Sequence, residues 1–363
     1  MTAAMFGNIY RGRRVLITGN TGFKGSWLAL WLLDMNADVV GYSIDVPTVP
    51  SHHSILGLEM ETIFGDIRDL EKLERTIRSV NPDIVFHLAA QSLVRRSYQN
   101  PLETFGTNLM GTANLLEACR RSDSIKAVLI ATSDKCYENR EEKRAFCEND
   151  PLGGHDPYSA SKACAELTAA AYRRSFFTPR SFPLMATARS GNVIGGGDWS
   201  DDRLIPDIIR SVTDKTPLMI RYPNATRPWQ HVLDPLSGYL LLGQRLLEAK
   251  SDFASSWNFG PDSNDQRTVS SVLQAMKTSL EEFSWRQEDT PQLHEAGLLR
   301  LNCAKARNAL GWQPTWFFEK AIALTADWYR SWLREGIALS SAQLSEYVNQ
   351  ARKQGMAWTE EGK

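Results

Sequence analysis

Two short stretches carry residues able to move protons. Thr132-Ser133-Asp134-Lys135 closes the apolar run Ala127-Val128-Leu129-Ile130-Ala131, and Tyr158-Ser159-Ala160-Ser161-Lys162 sets a phenol and an ammonium four residues apart. On a helix, residues i and i+4 lie one above the other on the same face. A phenol ionises near pH 10 in water and is a poor base at neutrality, but a neighbouring cation favours the phenolate. Tyr158 beside Lys162 could then take a proton from a substrate hydroxyl. An ordinary amphipathic helix can also contain Tyr-x-x-x-Lys, so the pair gains meaning only from the elements around it.

The run at 127–131 reads as a strand buried on both faces, and chemistry in an open parallel sheet gathers beyond the carboxyl ends of its strands. A second such strand, residues 14–18, runs into Gly19-Asn20-Thr21-Gly22-Phe23-Lys24-Gly25 and then a helix over 26–33. Strand, glycine turn and helix in that order are the setting a dinucleotide-binding motif requires. Glycine permits the tight turn and the close approach of N–H groups to a pyrophosphate, and the helix N-terminus adds unpaired donors. The next strand spans 38–44. A carboxylate just past it would bond the adenosine ribose of NAD, whereas a cation would serve NADP. Ser43 or Asp45 occupies that place and no arginine follows at once, which favours NAD.

Residues 62–69 form a short strand with a polar exit, where Asp66 either accepts from an adenine amino group or caps the following helix. The fourth strand spans 83–90, and His87 within it reads as a buried core histidine. Ser92, Arg95 and Arg96 follow, the arginines facing either a substrate phosphate or solvent. Phe105, Leu109, Leu115, Leu116 and Cys119 recur at helical spacing, which predicts about five turns ending at Arg121 with a second apolar face available to another subunit. A sixth strand over 186–193 leads to the glycine-rich 195–199, a loop suited to fold over substrate. Arg221, Arg227, Trp229 and His231 precede a helix over 235–241, where a guanidinium could grip a diphosphate with two parallel bonds. A Trp-rich tail, 298–332, ends in a polar helix past Ser340.

At 363 residues the chain exceeds one comfortable core, so two lobes are expected. Lys and Arg number 41 against 42 Asp and Glu, which leaves no global basic field for nucleic acid. The cysteines, Cys119, Cys136, Cys147, Cys164 and Cys303, lack metal-ligand spacing, and no metal is expected. Neither a signal peptide nor a membrane-spanning apolar segment is apparent, so a cytoplasmic location is expected.

The ordered set Gly19/Gly22/Gly25, Asp66-Ile67, His87-Leu88-Ala89-Ala90, Asn108-x-x-Gly111-Thr112 and Tyr158-x-x-x-Lys162 resembles the extended short-chain dehydrogenase/reductase family over nearly the whole chain. The stretches 22–27, 132–137, 191–199 and 227–234 resemble the branch of that family that dehydrates CDP-linked glucose. The resemblance implies an α/β fold, a Rossmann-type doubly wound parallel sheet with a smaller mixed α/β C-terminal substrate lobe. The dinucleotide-binding part would be 1–190, rejoined by 228–258, and the substrate lobe 191–227 with 259–363. NAD would oxidise a nucleotide sugar at C4, water would leave across C5–C6, and the hydride would return to C6. The product would be CDP-4-keto-6-deoxyglucose, a precursor of dideoxy sugars in bacterial surface polysaccharide.

Carried onto this chain, the likeness makes Tyr158 the base for the C4 hydroxyl and Lys162 its partner and a ligand of the nicotinamide ribose. Ser133 stands where relatives hold a threonine on the C4 oxygen. Asp134 would protonate the departing C6 hydroxyl, which needs a carboxyl kept neutral by burial. Relatives acting on dTDP-glucose place a glutamate where Lys135 stands. Lys135 can remove the C5 proton only if its pKa falls from about 10.4; otherwise it stabilises the enolate electrostatically. The likeness implies cofactor contacts from Gly19, Thr21, Gly22, Phe23, Lys24, Gly25, Asp66, Ile67, Leu88, Ala89, Ala90 and Thr107, besides Tyr158 and Lys162. It implies substrate contacts from Ser92, Arg96, Asn192, Arg227 and Asn258, and a homodimer or dimer of dimers built on helices near 102–121 and 159–177. A nucleotide-sugar 4-epimerase would use the same Tyr–Lys pair without an acid at C6. A non-catalytic nucleotide sensor would need none of Tyr158, Lys162 or Asp134.

Overall fold

The computed structural model describes residues 5–142, 144–178, 183–262, 267–280, 283–287 and 298–360. The apolar runs become one parallel sheet: β1 (Arg14–Thr18), β2 (Asp38–Ser43), β3 (Glu61–Phe64), β4 (Ile84–His87), β5 (Ala127–Ala131), β6 (Leu184–Ser190) and β7 (Ser256–Phe259). Their order is β7-β6-β5-β4-β1-β2-β3, with every neighbouring pair parallel. Alternation along each strand supplies both faces with apolar side chains. Val15 and Ile17 of β1, with Ala127 and Leu129 of β5, join one core, while Leu16, Val128 and Ile130 join another. Two apolar faces demand two helical layers. Helix α1 (Phe23–Asp34) covers the first face, and α2 (Leu70–Val80), α3 (Gly111–Arg120) and α4 (Pro157–Ser175) cover the second.

Two elements depart from the periodicity. The helix expected to run unbroken to Arg121 consists of a short helix at Pro101–Phe105, a π-turn at Gly106–Met110, and α3. The wider turn presents Asn108, whose amide donates to the Gln91 carbonyl (2.9 Å) and Ser161 Oγ (2.8 Å) and accepts from the Gln91 N–H (2.8 Å). Apolar spacing carries no signal for such a bulge, because the same residues still face the core. The sixth strand ends at Ser190; the chain then turns and pairs again as Val193–Ile194 beside Gln230–His231. His87 is a satisfied core histidine, its ring nitrogens 2.7 Å from Thr18 Oγ1 and 3.2 Å from Thr112 Oγ1.

Beyond β6, α5 (Leu204–Asp214), α7 (Val269–Ser279) and α8 (Phe318–Glu335) enclose a third core around Ile208, Leu273 and Ile322. Helix α6 (Leu233–Leu247) instead lies on the α1 face of the sheet. So does the end of the chain: α9 (Ser340–Lys353) and Trp358 pack through Tyr347 and Trp358 against Trp31 and Phe6. Among the described residues, no helix is long and apolar enough to cross a membrane.

Candidate active site

Strand order reverses at β1, and in such sheets the crevice opens beyond the carboxyl ends of the strands at that point. A cleft of about 680 Å3 runs from the glycine turn to the lobe after β6. At Gly19, φ is 77°, and a Cβ would lie 2.7 Å from the Ala89 nitrogen; at Gly25 it would lie 2.0 Å from the Gly19 carbonyl oxygen. Only glycine lets the turn pass so close to the exit of β4. Helix α1 starts at Gly22 without a side-chain cap, and Gly22, Phe23, Lys24 and Gly25 line the cleft. This uncapped, side-chain-poor cradle fits a dinucleotide diphosphate.

At the ribose end, Ser43 Oγ donates to Asn20 Oδ1 (2.7 Å) and accepts from the Thr21 N–H (3.3 Å). Ser43 and Asp45 both line the cleft, and Asp45 is the carboxylate among them. The cap of α2 is Asp69, which accepts from the Lys72 N–H at 2.9 Å, so capping is not the role of Asp66. Asp66 is forked by the Arg68 guanidinium at 2.6 to 3.1 Å. Thr21, Asp66, Ile67, Leu88, Ala89, Ala90 and Thr107 all line the cleft.

The opposite wall joins the two proton-moving stretches. Asp156 caps α4, accepting from the Ser159 N–H (2.9 Å), and Pro157 occupies the first turn, so the helix starts where Tyr158 is needed. Ser133, Asp134, Lys135, Tyr158 and Lys162 line one cleft. Burial pushes the Tyr158 phenol up to about 12, against the pull of Ser133 and Arg203. Lys162 is itself pushed down to about 8 by burial, against the attraction of Glu166. Asp134 is 3% exposed. Its Oδ1 accepts from Ser133 Oγ at 3.0 Å, and its Oδ2 is buried without a hydrogen-bond partner. Burial raises its pKa, outweighing Lys135, Ser133, Arg227 and Lys24. The arrangement favours the protonated form of this carboxyl.

Ser92, Arg96, Asn192 and Arg227 also line the cleft, with Arg96 paired to Glu103 at 2.7 Å. Asn258 does not. It is fully buried on β7, donating to the Phe146 and Asn302 carbonyls (2.9 and 3.1 Å) and accepting from the Tyr137 hydroxyl (2.7 Å). Its assignment to substrate is corrected: the amide is taken up by packing between β7 and the 137–146 segment. Two cations were not legible in full. Lys24 Nζ donates to Ser190 Oγ (2.8 Å) and is pushed down to about 7 by burial, then by Arg203 and Lys162. Arg203, just before α5, reaches across to Ser92 Oγ (3.3 Å). Its only sequence signal is its place ahead of an apolar helix start.

Sheet, glycine cradle and Tyr–Lys pair define an NAD-dependent enzyme of the short-chain dehydrogenase/reductase type. The chain belongs to the family described as GDP-mannose 4,6 dehydratase, whose model matches residues 16–325. It is 48% identical to the CDP-glucose 4,6-dehydratase of Salmonella typhimurium, covering 94% of this chain and 98% of that one. A dTDP-glucose 4,6-dehydratase of Xanthomonas campestris is 29% identical, over 86% of this chain and 92% of that protein. Among solved structures, the UDP-glucose 4-epimerase of Thermus thermophilus with NAD matches with a TM-score of 0.76 at 26% identity, covering 87% and 99%. A dTDP-glucose 4,6-dehydratase of Streptomyces venezuelae with NAD bound matches with a TM-score of 0.74 at 25% identity, covering 87% and 97%. The chain is an NAD-dependent 4,6-dehydratase, a hydro-lyase.

Proposed function

We propose that this chain converts CDP-glucose to CDP-4-keto-6-deoxyglucose, supplying the dideoxy-sugar branch of bacterial surface polysaccharide. The observation that carries the reading is a buried, partnerless Asp134 oxygen in the same cleft as Tyr158, since an epimerase needs no such acid. The 48% identity to a CDP-glucose enzyme supports the nucleotide. NAD, held by the glycine cradle, Asp45 and Lys162, supplies the hydride acceptor and donor. Tyr158 takes the C4 hydroxyl proton while Ser133 holds that oxygen and the Lys162 ammonium stabilises the phenolate. Asp134 protonates the departing C6 hydroxyl. Lys135, half-buried at the same turn, stabilises the enolate as the C5 proton passes to solvent water, which returns a proton to C5 once the hydride has reached C6.

The proton balance adds a requirement. Water leaves with the Asp134 proton, while Tyr158 keeps the one from C4. Ser133 donates to Asp134 and shares the cleft with Tyr158, so it offers the path that resets them. Ser92, Arg96, Asn192 and Arg227 hold the sugar nucleotide. The dinucleotide part is 1–190 with 228–258, and 191–227 supplies most of the substrate wall; of the described residues after 258, Val269 lines the cleft. A homodimer is supported by exposed apolar side chains on neighbouring helical segments, Leu102 (87% exposed), Met110 (53%), Leu167 (56%) and Phe176 (49%). The location is cytoplasmic.

Incubation with CDP-, dTDP-, UDP- and GDP-glucose tests the reading. A 4-keto sugar absorbing in base is expected from CDP-glucose alone; CDP-galactose would indicate an epimerase, and no conversion of CDP-glucose would overturn the proposal. For Lys135→Met, solvent deuterium at C5 is expected to fall. Unchanged incorporation would remove Lys135 from the C5 step.

A further inference from the structure

The face of α4 that carries Tyr158 and Lys162 carries Glu166 one turn further on. Its carboxylate is 1% exposed, and side chains from just past β5, from β6 and from β7 converge on it. Thr132 Oγ1 donates at 2.5 Å, Thr187 Oγ1 at 2.8 Å, Arg189 Nη2 at 2.7 Å and Ser256 Oγ at 3.2 Å. Arg189 also donates to the Tyr137 hydroxyl (2.8 Å) and the Glu148 carbonyl (3.0 Å). Thr132 immediately precedes Ser133, Asp134 and Lys135. One carboxylate therefore ties the helix of the base to the turn of the acid. Packing alone does not call for this, because a buried ion pair gains little over an apolar pair of similar volume.

Resting on the dehydratase reading, we propose that Glu166 is a positioning residue: it latches the Thr132–Lys135 turn to α4 and supplies the negative charge that keeps Lys162 an ammonium. The groups facing Lys162 are Tyr158 and Glu166 on its own helix, Cys136 from the turn after β5, His87 from β4 and Lys24 from α1. Of these, Glu166 is the anion at neutral pH: burial holds His87 and Cys136 neutral, and Arg189 with the two threonines holds Glu166 ionised. Without it, burial deprotonates Lys162 at lower pH, and Tyr158 loses the cation that stabilises its phenolate.

The test compares two variants of the full-length holoenzyme with CDP-glucose. Glu166→Gln removes the charge but keeps an acceptor oxygen, and the alkaline limb of kcat should move acidward by about one pH unit, a tenfold loss on that limb. Thr132→Val breaks the latch but keeps the charge, so kcat should fall with the limb in place. A folded Glu166→Gln protein with the wild-type limb overturns the proposal. If Arg189, left unpaired, prevents folding, Glu166→Gln/Arg189→Met removes both charges and should still move the limb. NMR of 13C-dimethylated lysines, with Lys162→Arg assigning the signal, reads the same displacement without turnover. It therefore decides the role of Glu166 even if the wild-type protein forms no 4-keto sugar, a result that would fail the dehydratase reading instead.

Discussion

Asp134 and Glu166 are both buried carboxyl groups joined to the same four-residue turn, one within it and one beneath it, and their surroundings drive them in opposite directions. Around Asp134 the protein supplies one hydrogen bond and leaves Oδ2 open, so burial wins and the acid form is favoured. Around Glu166 four donors, the Arg189 guanidinium among them, overcome the same burial and hold the anion. Burial does not by itself assign a protonation state; the charges and donors set against it do. Groups whose environments push them apart in this way divide into acid and counter-charge.

Breaking the open member should cost function rather than stability. Asp134→Asn is expected to lower turnover by about 10²- to 10⁴-fold, the span of general-acid catalysis, with reduced cofactor accumulating at 340 nm. Its melting temperature should stay level or rise. Wild-type turnover in this variant would remove Asp134 from the acid role. Breaking the closed member should do the reverse at first sight: Glu166→Ala leaves Arg189 buried without its carboxylate and should lose about 3–5 kcal/mol in urea unfolding. A loss within experimental error would mean that the pair is not buried in solution.

The two also differ in sign with pH. The folded-state pKa of Glu166 lies below its ordinary value of 4.5, so its stabilisation is present above that value and lost as pH falls through the folded one. Acid unfolding of Glu166→Gln should therefore be shallower than that of wild type below about pH 4.5. Asp134 lies above its ordinary 3.8, so its contribution is present below that value and lost as pH rises through the folded one. Asp134→Asn should gain stability relative to wild type as pH climbs from 3.8, and a constant difference in melting temperature would contradict this. The smallest effect is expected for Thr132→Val, about 1 kcal/mol for one hydrogen bond, with the alkaline limb of kcat unchanged.

Much of the scaffold could be read from local order. Residues 14–25 announce strand, turn and helix because the glycines answer to backbone geometry within a dozen residues. Asp156-Pro157 marks the start of α4, and the spacing of Tyr158 and Lys162 puts them on one face of any helix. Ser133 and Asp134 were legible as the exit of an apolar strand. The π-turn at Gly106–Met110 was not, since a bulge leaves the apolar spacing intact. Asn258 was carried to substrate by resemblance alone, and local sequence does not distinguish an amide that meets a ligand from one that meets three protein groups.

What the chain determined by itself was therefore short-range: which segments are strands, where glycine must turn, and which side chains share a helical face. Tertiary structure alone decided which carboxyl is acid and which is anion. That outcome depends on partners far off in sequence, from Thr132 to Ser256 around Glu166, and on the solvent excluded when a seven-stranded sheet closes over them.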